Sequence, residues 1–119
     1  MEREDLIKKV DLAFLSAFYG GMLTEKQRYV LSLHCEEDLS LGEISEEIGI
    51  SRQAVHETLM RAAAKLNEME EKLGVASRFR RIESGLEDAL NSLRMKDYPH
   101  TEKILKDLLS SEQEDSNGI

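Results

Sequence analysis

Residues 40–66 of the chain read SLGEISEEIGISRQAVHETLMRAAAKL. Ser40 and Glu43 have the capping-box spacing that opens a short helix. Gly49 suits the positive φ of a helix end, and Ser51 is a good N-cap for the helix that follows. A short helix, a glycine turn and a second helix, in this order, predict a helix-turn-helix unit. Nucleic acid is therefore the first partner to consider.

The second helix of this unit carries one apolar face. Apolar residues recur there at alternating spacings of four and three and should be buried together; they are Val55, Leu59, Ala62, Leu66, Met69 and Leu73. The run extends past the motif to Gly74, a suitable helix end. The opposite face is then free to meet a groove.

Candidate nucleic-acid-binding residues lie on that opposite face and its flanks. Base edges are read near the start of a recognition helix, where glutamine suits adenine and glutamate suits cytosine, whereas arginine and lysine suit phosphates. The candidates are Ser51, Arg52, Gln53, His56, Glu57, Arg61 and Lys65. The alternative is that they form only the solvated face of an amphipathic helix.

The charge of the chain opposes a simple DNA-binding interpretation. There are 24 acidic and 16 basic residues, with a formal charge of −8. Since nonspecific DNA affinity comes mostly from basic charge, a tight autonomous binder is disfavoured. A weak binder, a dimer with a local basic strip, and a module with a protein partner all remain open. Acidic residues concentrate around the first motif helix, at Glu36, Glu37, Asp38, Glu43, Glu46 and Glu47.

Helical patterns also fill the rest of the chain, which predicts an all-α protein. A first helix should end at Gly20, and Thr24 with Gln27 forms another capping box. We expect one domain over residues 1–110, with the helix-turn-helix at 40–66 and a flexible tail at 111–119. The apolar faces beyond residue 75 favour a homodimer. The first, fifth and sixth helices are predicted from Leu6, Val10, Ala13, Phe14, Ala17 and Phe18, from Ile82, Leu86, Ala89, Leu90 and Leu93, and from Ile104, Leu105, Leu108 and Leu109.

Enzyme, metal and membrane signals are weak. No apolar run has the length of a membrane span, and the first residues do not resemble a secretory leader, so a cytoplasmic protein is expected. Cys35 and the three histidines lack the paired spacing of a zinc site. No glycine-rich phosphate loop and no catalytic carboxylate pair is indicated. We therefore expect no metal, no cofactor and no enzyme activity.

A second contact site is indicated by the densest positive charge of the chain, residues 77–81, SRFRR. Arg78, Arg80 and Arg81 could grip phosphates while Phe79 stacks on a base. Alternatively, Phe79 packs on the long helix and the arginines pair with Glu70, Glu71 or Glu83.

Residues 14–74 resemble the YlxM-like family of small bacterial helix-turn-helix proteins. The most specific segments are FYG at 18–20, LTEKQ at 23–27, SLGEI at 40–44 and SRQAV at 51–55. The resemblance implies a three-helix, winged-helix-like core similar to region 4 of bacterial sigma-70 factors, with extra C-terminal helices. It also implies a link to the signal recognition particle pathway, inferred from neighbouring genes. His56 stands where the family more often has tyrosine, which puts a stacking contact there in doubt.

The sequence patterns and the family resemblance together leave three candidate functions, of which the second is implied by the resemblance alone. The first is a DNA-binding regulatory protein that places the start of the recognition helix in a major groove. The second is an accessory protein of the signal recognition particle, which binds its RNA or its GTPase by the same surface or by the arginine cluster. The third is a protein-interaction scaffold, which the acidic charge favours.

Overall fold

The computed structural model describes the backbone of residues 9–117 and the side chains of residues 11–112. Every regular element in this part of the chain is helical, which confirms the all-α prediction. Leu6 of the predicted first helix, and residues 118–119 of the predicted tail, lie outside the described residues. The helices are α1 Lys9–Tyr19, a 3-10 turn Gly20–Met22, α2 Glu25–Cys35, α3 Leu41–Ile48, α4 Arg52–Leu73, α5 Val75–Arg94 and α6 Tyr98–Asn117.

Both capping boxes expected from the sequence are formed. The Thr24 hydroxyl accepts the Gln27 N–H at 3.1 Å, and the Gln27 side chain accepts the Thr24 N–H at 3.0 Å. The Ser40 hydroxyl likewise accepts the Glu43 N–H at 3.1 Å, and the Glu43 carboxylate accepts the Ser40 N–H at 2.8 Å. Each box supplies partners for amide groups that a helix start leaves unpaired, so α2 and α3 begin where the sequence predicted.

Tertiary contacts divide the chain into two compact units, residues 1–76 and 77–119. In the first unit α4 is the central helix, because it contacts α1, α2 and α3. Burial of apolar side chains around it supplies most of the stabilisation of this unit. The sequence predicted one domain over residues 1–110, and this remains a prediction. The largest fully buried side chains are Leu12, Val30, Ile44, Val55, Leu59 and Leu66.

Two details of this core differ from the sequence prediction. On α1, Leu12 and Tyr19 are buried, whereas Ala13 and Ala17 are exposed. Large side chains gain more from burial than alanine does, so α1 turns Leu12 and Tyr19 inward. At the end of α4, Leu73 is 58% exposed, because the last buried residue of this helix is Leu66 and the helix continues beyond it.

The second unit is a helical hairpin formed by α5 and α6. A Cβ atom on Gly85 would lie 2.6 Å from Cδ2 of Leu108, so the absence of a side chain at Gly85 permits this close approach. Near the turn, Thr101 donates to the Ser92 hydroxyl at 2.9 Å, and the Asp97 carboxylate caps α6 by accepting the His100 N–H at 3.2 Å. Helix α6 continues to Asn117, past the end predicted near Ser110.

Candidate nucleic-acid interface

The turn between α3 and α4 has the geometry expected of a helix-turn-helix unit. Gly49 ends α3 in the left-handed region, at φ 77° and ψ 32°, and its N–H donates to the Ser45 carbonyl at 2.9 Å. The Ser45 hydroxyl donates to the Ile50 carbonyl at 2.5 Å. Ser51 then begins α4, because its hydroxyl accepts the Ala54 N–H at 3.0 Å. These bonds confirm the turn and the caps predicted from the sequence.

Helix α4 has a buried face and an exposed face. The buried face contains Val55, Leu59, Ala62, Ala63 and Leu66. Six of the seven candidates lie on the remaining surface of the same helix, and Ser51 directly precedes it. The exposed candidates are Ser51, Arg52, Gln53, Glu57 and Arg61, and the partly exposed ones are His56 and Lys65.

Arg52 lies against the first turn of α3. A Cβ atom on Gly42 would be 3.8 Å from the Arg52 Nε and 3.9 Å from its Cδ. The Arg52 side chain therefore reaches from the start of α4 to the start of α3. The unpaired backbone N–H groups at each of these helix starts carry a partial positive charge. Gly42 was not among the candidates, since a glycine in the first turn of a helix carries no distinctive sequence signal.

Lys65 lies further along α4 and shares a carboxylate with Lys72. Its Nζ is 3.9 Å from Oε1 of Glu68, while the Lys72 Nζ donates to Glu68 Oε2 at 3.1 Å. The hydrogen bond from Lys72, followed by the charges of both lysines, lowers the pKa of Glu68. Such exposed pairs are weak and are screened by salt, so Lys65 can exchange Glu68 for a phosphate.

The start of α4 is locally basic within an acidic protein. Its first turn contains no acidic residue, and residues 52–65 include three lysines or arginines against one acid, Glu57. The exposed acids Glu46 and Glu47 belong instead to α3. This strip of α4 could attract a phosphate backbone despite the overall charge.

The arginine cluster at 77–81 is engaged with α6. The Arg78 Nε donates to both carboxylate oxygens of Glu112, at 2.8 and 3.0 Å, and the Arg78 Nη2 donates to Oε1 as well. The Arg81 Nη2 lies 4.0 Å from Glu112 Oε2. Hydrogen bonding from Arg78 is the main cause that lowers the pKa of Glu112. Phe79 is 45% exposed and Arg80 is exposed.

Sequence reasoning did not find Glu112 as a partner of this cluster. Arg78 and Glu112 are 34 positions apart in the sequence, and only the folding of the hairpin brings them together. Because a bidentate arginine–carboxylate pair is among the stronger hydrogen-bonded contacts, Arg78 is less available for a phosphate than its sequence suggests.

The described residues show neither a metal site nor a membrane-spanning helix. Within that part of the chain, no group of three or more histidine, cysteine or acidic side chains has the arrangement of a metal site. No helix there is both long and apolar enough to cross a membrane. The Nδ1 of His34 lies 3.3 Å from the Leu39 carbonyl, next to the turn that leads to α3.

Comparison with known proteins gives the family of the chain. Residues 6–108 match the model of family UPF0122, described as "Putative helix-turn-helix protein, YlxM / p13 like". The chain belongs to this family. The matched region includes the whole helix-turn-helix unit, all of α5 and the first half of α6. Membership of the YlxM/p13-like family agrees with the resemblance seen in the sequence.

Bacterial relatives of the same family support this assignment. A UPF0122 protein of Desulforamulus reducens is 47% identical over 79 residues, which cover 66% of this chain and 68% of the relative. A UPF0122 protein of Halalkalibacterium halodurans is 47% identical over 74 residues, 62% of this chain and 68% of the relative. A third, from Bacillus cereus, is 47% identical over 74 residues, 62% of this chain and 67% of the relative.

Proposed function

We propose that this protein is a cytoplasmic DNA-binding regulator that inserts the start of α4 into a major groove. The observation that carries the proposal is the exposed strip of α4, which directly follows a well-formed helix-turn-helix turn. This is the part of a recognition helix that meets base edges in other helix-turn-helix proteins. The proposal assigns transcription regulation to the protein and no chemical reaction.

Each exposed group has a role in this proposal. Gln53 and Glu57 lie one turn apart and meet base edges together with His56, since their amide, carboxylate and imidazole groups can exchange hydrogen bonds there. The cations bind phosphates and position the helix without reading the sequence. Arg52, Arg61 and the Ser51 hydroxyl at the helix start bind phosphates directly. Lys65 binds a phosphate once its ion pair with Glu68 is broken.

Binding by one copy should be weak, because few cations contribute and the protein carries a formal charge of −8. We therefore propose that the protein acts as a homodimer. Two recognition helices at a fixed spacing would contact two half-sites, and the contacts of both copies would add in one complex.

Fluorescence anisotropy tests this function with duplexes selected from a random pool. Arg52→Ala and Arg61→Ala should weaken binding to all sequences, and each should reduce the salt slope by about one unit for a lost phosphate contact. Gln53→Ala should instead reduce discrimination between the selected duplex and an unrelated one. Lys103→Ala is the matched control, because it removes one positive charge from α6 and should leave affinity nearly unchanged.

The selection itself can contradict the proposal. If no duplex is enriched, and if micromolar protein gives no saturable anisotropy change at low salt, then α4 is not a DNA-reading helix. Equal losses for Arg52→Ala and Lys103→Ala would show that binding depends on total charge and not on the α4 strip.

A second candidate function is an accessory role in the signal recognition particle pathway, through its RNA or its GTPase. Phe79 favours this role because a 45% exposed ring beside Arg80 could stack on an unpaired base. The pairing of Arg78 with Glu112 weighs against it. In that case Arg80→Ala should abolish binding to the particle RNA, while Arg52→Ala should leave it intact.

A further inference from the structure

The α5–α6 hairpin exposes large apolar side chains that its own packing does not cover. Within the described part of this unit, only Ala89 and Ser92 are buried. Eight large apolar side chains on the two helices are between 40% and 66% exposed, and six of them lie between the ends of the hairpin, away from Val75 and Tyr98 at the helix starts. We call these six the apolar face; they are Phe79, Leu86, Leu90 and Leu93 on α5, and Leu105 and Leu109 on α6.

The four residues of α5 lie along one side of the helix. Phe79, Leu86 and Leu93 are separated by seven residues each, and Leu90 follows Leu86 by one turn. Leu105 and Leu109 are likewise one turn apart on α6. Each helix therefore contributes a continuous strip.

The two strips lie on the same side of the hairpin. Gly85 of α5 meets Leu108 of α6. Leu86 and Leu109 follow these contact residues by one position, which is a rotation of about 100° around each helix axis. Since the helices are antiparallel and face each other, equal rotations turn both side chains toward the same side. The strips consequently form one surface.

The size of this surface is that of a protein interface. With about 150 Å² for a fully exposed large side chain, the low end of the range for aromatic residues, six that are about half exposed present on the order of 450 Å² of apolar area. A protein interface is only about 60% apolar, so a polar rim would extend the contact to roughly 750 Å² on each partner. This is close to the area of about 800 Å² per partner that a standard dimer buries.

The charges beside the apolar face favour a second copy of the chain as its partner. Three cations and three acids lie on the outer flanks of the two strips, whereas the whole chain has a formal charge of −8. Two such copies can therefore meet there without strong like-charge repulsion, and each presents both signs to the other. The six are Arg80, Glu83, Glu87, Arg94, Glu102 and Lys106.

We propose that a second copy of this protein covers the apolar face, so that two α5–α6 hairpins form the interface of a homodimer. The inference rests on the homodimer of the proposed function but not on its nucleic-acid ligand. Mass measurements on the full chain without nucleic acid therefore test it separately.

Sedimentation equilibrium of the full chain tests the interface. The wild-type protein should have twice the 13.6 kDa mass of one chain at micromolar concentration. Leu86→Glu and Leu90→Glu should each raise the dimer Kd by about 100-fold or more, because the interface would bury an unpaired charge. Met22→Glu is the matched control: Met22 is 56% exposed but lies outside the hairpin, so this variant should remain dimeric.

Circular dichroism shows whether each variant keeps its helices. If Leu90→Glu loses helix content, Leu90→Ala is tested in its place. This variant should raise the dimer Kd by about tenfold, because it loses apolar contact in the interface. Two results would overturn the inference. One is a 13.6 kDa wild-type species at all concentrations up to about 100 μM, far above the Kd of a standard interface. The other is a folded Leu86→Glu or Leu90→Glu variant that dimerises like the wild type.

Discussion

The hydroxyl of Tyr19 donates a 2.6 Å hydrogen bond to Oε1 of Glu70, although 51 positions separate the two residues. The Tyr19 oxygen also accepts the Val75 N–H at 3.0 Å, and Glu70 Oε1 accepts the Ala76 N–H at 3.0 Å. These are the first two amide groups of α5, which have no partner within the helix. The end of α1 is thereby joined to the point where α4 ends and α5 begins.

Tyr19→Phe should lower the free energy of unfolding by about 1–3 kcal/mol, because it removes the acceptor of the part-buried Val75 N–H and one hydrogen-bond donor to Glu70. Urea unfolding at neutral pH measures the change. Tyr29→Phe is the control: Tyr29 is 49% exposed, and its substitution should cost less than about 0.5 kcal/mol. Equal midpoints for both variants would contradict a structural role for the Tyr19 hydroxyl.

The stability contributed by the Tyr19 hydroxyl should disappear at alkaline pH. Burial, and then the hydrogen bond to Glu70, raise the pKa of Tyr19 above its ordinary value of 10.0. The folded state therefore holds this proton more tightly than the unfolded state. Its contribution is complete below pH 10.0 and is lost as the pH rises through the higher folded pKa. The difference in unfolding free energy between wild type and Tyr19→Phe should shrink over that range; a constant difference would exclude this linkage.

Gly49→Ala should destabilise the helix-turn-helix turn by about 1–2 kcal/mol, the usual cost of a left-handed conformation for a residue with a side chain. No atom lies within 4 Å of the added Cβ, so the cost would come from the φ of 77° and not from a clash. Gly21→Ala is a matched control, because its added Cβ also meets nothing within 4 Å and its φ is not positive. Thermal unfolding compares the two variants, and similar melting temperatures would contradict the strain.

The pairing of Arg78 with Glu112 should make the hairpin sensitive to acid. Hydrogen bonding from Arg78 lowers the pKa of Glu112 below its ordinary 4.5. The contribution of the pair is therefore complete above pH 4.5 and is lost as the pH falls through the lowered folded value. Glu112→Gln should be less stable than wild type near neutral pH and should approach it in acid. Asp107→Asn, which removes an exposed pair with Lys103, should show little effect at either pH.

The local elements of the fold could be predicted from the sequence because their causes lie within one turn of the chain. Ser40 and Glu43 cap α3 through bonds between residues three positions apart, and Gly49 ends it by its own backbone conformation. The period of the apolar residues identified the buried face of α4 as far as Leu66. The same period also predicted which residues of α4 are exposed, and the candidate nucleic-acid contacts are among them.

Tertiary structure decided the contacts between distant residues, because no local pattern specifies which side chains meet. Glu70 became the partner of Tyr19, and Glu112 became the partner of Arg78. Periodicity also indicated that Leu86 and Leu90 belong to an apolar face, but not whether that face would be covered. Their exposure is a property of the hairpin, since α5 approaches α6 through the small residue Gly85 and turns its leucines aside.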